Sequence, residues 1–134
     1  MKTWKRWLPA LCPVLLAAWS AFAVWFFFSR GWLLYYGDAE AHMNIARRVL
    51  DSQTPSYDQF GTVWLPLPHV LMLPFVRIDA LWLSGLAGAI PSAACFVLGA
   101  TFLFAAVRRI FDSTAAAAAA VAVMTRSGGG ECQC

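Results

Sequence analysis

The stretch GDAEAHMNIARRVLDS, Gly37 to Ser52, gathers three acids, a histidine and two arginines in an otherwise oily chain. Asp38 and His42 stand one helical turn apart, so on a helix their side chains share a face. A carboxylate in that position can serve as general base. A histidine beside it can orient it, bind a substrate or ligate a metal. Each role has a plainer counterpart, with Asp38 as a helix N-cap and His42 as polar packing. Arg47 and Arg48 suit phosphate oxygens. Equally, Arg47 can pair with Asp51 along the helix while Arg48 snorkels to headgroups. A second histidine, His69, lies in GTVWLPLPHVLMLPFV, Gly61 to Val76, an apolar stretch broken by Pro66, Pro68 and Pro74. A polar group at membrane depth is costly and points to function by default. At the interface that argument weakens.

The elements that must position these residues are apolar. Hydrophobic residues make up 60% of the 134-residue chain and charged residues only 13%, against about 45–50% and about 25% in ordinary soluble domains. The run Trp7 to Phe28 is uncharged and about as long as the ~20 residues a bilayer requires. Lys2, Lys5 and Arg6 precede it, which predicts a cytoplasmic N-terminus. Ala21-Phe22-Ala23 mimics a signal-peptidase site, but the apolar run continues through Phe28, which favours an uncleaved span. The second span is expected at about residues 80–107, followed by Arg108 and Arg109 on the cytoplasmic side. Gly85, Gly88, Ala89 and Gly99 would admit a neighbouring helix, so Gly85 and Ala89 mark a possible helix–helix partner face. Pro91 is expected to kink the span.

Between the spans, residues 30–79 form a predicted extracytoplasmic loop. It opens with Trp32, Tyr35 and Tyr36, an aromatic girdle of headgroup depth, and Trp64 reads as a further interfacial anchor. Asp38 to Leu50 has the spacing of an amphipathic helix, capped by Asp38 and lying in the interface plane. Thr54-Pro55 ends it. The proline-broken stretch that follows is too short to cross and predicts an interfacial or re-entrant piece, with a short helix starting near Pro68. Ala115 to Met124 starts a third helix that stops at half a span. The polar sequence TRSGGGECQC follows, and residues 125–134 are expected to be a disordered tail. The composition break there favours a truncated or frameshifted fragment of a larger membrane protein.

The fold class expected is therefore an all-α membrane protein, with two full transmembrane helices, an interfacial amphipathic helix between them and a truncated third hydrophobic helix. Residues 1–124 form its transmembrane part. The net charge of +3 is too small and too interspersed with carboxylates for nucleic acid. Cys12 and Cys95 lie in apolar runs as small hydrophobes. Cys132 and Cys134 form a lone C-x-C, short of the roughly four ligands of a structural zinc site. No phosphate-binding loop, dinucleotide fingerprint or nucleophile elbow occurs.

Two stretches carry a family pattern: YYGDAEAHMNIARRVLDS, and QFGTVWLPLPHVLMLPFV with the glycine-rich run ending VRRIF. Over about Trp7 to Val123 the chain resembles the N-terminal part of the GT-C membrane glycosyltransferases, nearest to bacterial members of the protein mannosyltransferase (family 39) and ArnT-like type. The resemblance implies a polytopic enzyme of the bacterial inner membrane. Such an enzyme moves a sugar from a polyprenyl-phosphate carrier to an acceptor on the extracytoplasmic face. It further implies Asp38 as catalytic base or acceptor-orienting acid, with Glu40 as the second acid of the motif. Many relatives have the two acids adjacent, whereas Ala39 separates them here. His42, His69 and Arg47 are the remaining substrate-binding candidates. No metal ligand set is indicated, and the cofactor is left open, a divalent metal being possible.

Overall fold

A computed structural model describes residues 4–60 and 65–127, and every regular element among them is helical. Trp64 and the Cys132/Cys134 pair lie outside the described residues. The first helix, α1, runs Trp4–Ser29. Its end is built by the aromatic sequence itself. Gly31 takes φ +68°, its N–H bonds Phe28 O at 3.0 Å, and the Trp32 N–H bonds Phe27 O at 3.0 Å. This pairing is a Schellman motif, which commonly brings a hydrophobic contact with it. Here the contact is Phe27 against Trp32, with ring centroids 6.4 Å apart. The Arg30 guanidinium lies over Phe26 at 4.8 Å, a cation–π contact beside the turn.

Helix α2, Gly37–Asp51, begins two residues earlier than an Asp38 cap requires. The cap position falls on Tyr36, with no side-chain cap bond, and the Ala39 N–H bonds Tyr36 O at 3.0 Å. Asp38 therefore sits inside the first turn rather than capping it. With Glu40 it still complements the positive end of the helix dipole, as Arg48 complements the negative end. After a 3₁₀ turn at Tyr57–Phe60, helix α3 spans Pro66–Val76, with prolines in its first turn, where no intrahelical donor is lost. At 11 residues it is about 16 Å long, half a bilayer core.

The expected uninterrupted span from residue 80 is in fact two helices, α4 at Asp79–Ser84 and α5 at Leu86–Phe111. Gly85 makes the break. It adopts φ +82°, and its carbonyl accepts from the N–H groups of Gly88 and Ala89, each at 3.2 Å. One residue thus ends α4 and starts α5. Ser113 opens the last helix, α6 at Thr114–Ser127, by accepting from the Ala116 N–H at 3.2 Å, a side-chain N-cap. Helix α6 continues past Met124 into the segment expected as tail, and at 14 residues it is too short to cross a bilayer.

Two compact units arise from these elements. In one, comprising residues up to Ser20 and from Ala94 onward, Leu16, Ala100, Phe104, Ala117 and Val121 form the core. In the other, residues 21–93, Met43 and Ala46 of α2 pack with Met72 and Val76 of α3 and with Ala87.

Two helical stretches, Leu11–Ser29 and Leu86–Phe111, are long and apolar enough to cross a membrane, and only 11% of each is buried within the molecule. A core helix of a soluble protein would bury most of its apolar surface. Here Trp19, Trp25 and Phe102 are exposed.

Candidate functional site

The site belongs to the unit formed by residues 21–93 and is built where α2 crosses α3. His69 belongs to the first turn of α3, just after Pro66 and Pro68, and is fully buried. Its Nδ1 lies 3.1 Å from Leu65 O. A carbonyl oxygen only accepts, so Nδ1 of His69 is the protonated nitrogen. In neutral His69 the other nitrogen, Nε2, is then an acceptor. It faces His42 Nδ1 at 2.9 Å, with the two rings tilted by 34°. His42 therefore donates from Nδ1 to His69. The remaining His42 nitrogen, Nε2, faces Asp38 Oδ2 at 3.6 Å. Burial first, and then the neighbouring His42, hold the His69 imidazole below the usual histidine range, partly offset by the Leu65 carbonyl. The buried ring thus favours its neutral, accepting form.

The structure brings together Asp38, His42 and His69, which are 4 and 27 residues apart in sequence. It leaves Glu40 apart from them. Two residues are about 200° around a helix, and Glu40 is exposed on that other side. Beside the histidine pair is a cavity of about 320 Å³, lined by His42, Ala39, Met43, Met72, Gly88 and Ser92 among others. Its walls are mainly apolar, and His42 is the imidazole that reaches it.

Arg47 is used to hold the two helices in register. Its Nε donates to Asp51 Oδ2 at 2.8 Å, and its Nη1 donates to Val76 O and Asp79 Oδ1, both at 2.7 Å. The guanidinium also stacks 4.9 Å over the Trp82 ring. One side chain of α2 thereby grips the last carbonyl of α3 and the first turn of α4. The hydrogen bonds to Asp51 and Asp79 push Arg47 up from an already high value, so it stays cationic. Its pairing with Asp51 is the four-residue spacing legible in the sequence. Asp79, Trp82 and the Leu65 carbonyl carried no such signal, because their roles exist only once the helices have crossed.

Gly85 closes the other side of this unit. A Cβ there would meet Leu33 Cβ at 2.9 Å and Leu34 Cγ at 3.1 Å. The close approach at Gly85 is thus made by the chain's own Leu33 and Leu34. Among the described residues, no three His, Cys, Asp or Glu side chains converge as a metal ligand set, and no buried side-chain nitrogen or oxygen lacks a hydrogen-bond partner. No protein-family model, curated protein or solved structure matches the chain.

Proposed function

We propose that the chain is an inner-membrane protein of a bacterium, with a cytoplasmic N-terminus and residues 30–79 on the outer side, and that it is the N-terminal portion of a GT-C-type glycosyltransferase. The reaction is transfer of a sugar from a polyprenyl-phosphate carrier to an acceptor hydroxyl. Asp38 takes the hydroxyl proton as oxygen attacks the sugar carbon and the bond to phosphate breaks. The observation that carries this proposal is the approach of Asp38, at 3.6 Å from His42, to a hydrogen-bonded His42–His69 pair beside a cavity. The lipid substrate is supported by the two long apolar helices and by how little of them is buried internally. Asp38 is itself well exposed, so an incoming hydroxyl can reach it.

The test is transfer of labelled sugar from a polyprenyl-phosphate donor in membranes containing the protein. Asp38→Asn keeps the shape of the side chain and removes the base. It is expected to lower transfer by about 10²–10⁴-fold, the usual worth of a general base, with insertion unchanged. Near-normal transfer by that variant rejects the proposal.

A small non-enzymatic membrane interaction protein is the second reading. It is favoured by an apolar cleft of about 420 Å³ in the other unit, lined by Leu11, Leu15, Trp19, Phe104 and Val121 among others. It predicts a stable partner complex and no transfer by the wild-type protein.

A further inference from the structure

The unit formed by residues up to Ser20 and from Ala94 onward holds two cavities that share one wall, Phe104. The first is the apolar cleft of about 420 Å³, bounded by α1, α6 and Phe104. The second, of about 480 Å³, is lined by Thr101, Phe104, Ala105, Arg108, Arg109 and Asp112. Arg108 follows Phe104 by four residues, so the two share a face of α5, with about 6 Å of helix rise between them. A cationic cavity thus stands one helical turn beyond an apolar one, where the apolar run of α5 ends.

The fold does not consume these two arginines as it consumes Arg47. Among the described residues, the salt bridges involve neither Arg108 nor Arg109. The acid of the cavity is Asp112, in the left-handed turn that ends α5 (φ +46°). Two guanidiniums against one carboxylate leave a net positive charge. The negative end of α5 at Phe111 and the positive end of α6 at Thr114 follow one another closely, so their dipoles largely cancel here. The forked N–H groups of arginine match phosphate oxygens.

We propose that the two cavities hold one anionic phospholipid of the cytoplasmic leaflet, with its phosphate on Arg108 and Arg109 and an acyl chain in the cleft. Basic pockets at the cytoplasmic ends of membrane helices suit anionic headgroups. The order of the cavities follows the order of groups in a lipid, charge at the helix end and hydrocarbon a turn deeper. Charge complementarity selects this occupant. A partner helix in the cleft leaves the arginines unanswered, and a zwitterionic lipid brings a cation of its own toward them. The inference rests on the membrane topology proposed above and not on sugar transfer, since that topology puts Asp38 on the opposite face.

The experiment is native mass spectrometry of the full chain, released from micelles holding equal amounts of phosphatidylglycerol and phosphatidylcholine with identical acyl chains. The wild-type protein should retain one phosphatidylglycerol in preference to phosphatidylcholine. Arg108→Gln and Arg109→Gln should each lower that preference about five-fold. Arg126→Gln, at the exposed end of α6 and outside both cavities, should leave it unchanged. Ala118→Phe keeps every charge but fills the cleft, and should lower retention of phosphatidylglycerol. If Ala118→Phe fails to fold, Ala122→Phe makes the same test, and the arginine variants decide independently. Equal retention of the two lipids overturns the inference, as does an equal effect of Arg126→Gln or full retention by the cleft variant. Displacement of the lipid by an excess of inorganic phosphate makes a free anion the ligand, and a lipid-free dimer makes a second copy the occupant; either result overturns it. Alkaline carbonate extraction reports on the membrane reading separately. A chain released by carbonate fails that reading, whereas a chain that stays in the membrane without a lipid preference fails only this inference.

Discussion

His69 joins a sequence feature to a structural one. Its odd setting was visible as a lone imidazole among prolines and apolar residues. Its partner was not, since nothing in the spacing of His42 and His69 says that α2 crosses α3 so that the second turn of α2 meets the first turn of α3. Burial gives His69 a pH dependence with a definite sign. Its folded value lies below the unfolded one of about 6.5. The unfolded chain therefore binds more protons as pH drops past that value, and folding stability falls with it. The contribution is fully present above about pH 6.5 and is lost as pH falls toward the folded value. Thermal unfolding in detergent between pH 8 and pH 5 should show the wild-type midpoint dropping over the acid half of that range. His69→Gln, which does not titrate there, should give a flatter profile. Equal slopes for the two proteins would remove His69 from the account of acid sensitivity.

At the scale of elements, the helices were legible wherever periodicity or proline punctuated the chain. The amphipathic α2 follows from its spacing and the short α3 from its prolines. The break between α4 and α5 was hidden, because an apolar run containing glycines reads as one span. What decides it is the left-handed backbone at Gly85 together with the Leu33 and Leu34 side chains pressed against that residue. Gly85→Ala meets both obstacles. The backbone conformation alone costs an L-residue about 1–2 kcal/mol, and a Cβ 2.9 Å from Leu33 requires a further shift. Denaturation in detergent should register at least that loss. Gly88→Ala, whose new Cβ would meet only methionine atoms at 3.6–3.7 Å, should be milder. If both variants unfold alike, the break at Gly85 is not the constraint described.

At the scale of the molecule, composition alone announced the apolar surface, and the structure gives it a reason. Exposed Trp19, Trp25 and Phe102 on helices only 11% buried internally would be a large unpaid cost in water. In the proposed membrane setting a bilayer removes that cost, and the basic residues argue the direction. Lys2, Lys5 and Arg6 precede the first apolar helix, and Arg108 and Arg109 lie in the last turn of α5. In the proposed topology both clusters lie on the cytoplasmic side, and α2, α3 and the Asp38–His42–His69 cluster lie on the opposite face. Single cysteines introduced in a background with Cys12, Cys95, Cys132 and Cys134 replaced by serine make this measurable. A cysteine at Asp58 should react with a membrane-impermeant thiol reagent added outside intact spheroplasts. One at Arg109 should react only after the membrane is opened. The reverse pattern would put the acidic cluster in the cytoplasm, away from any acceptor on the outer face, and sugar transfer at that face by Asp38 would then be ruled out.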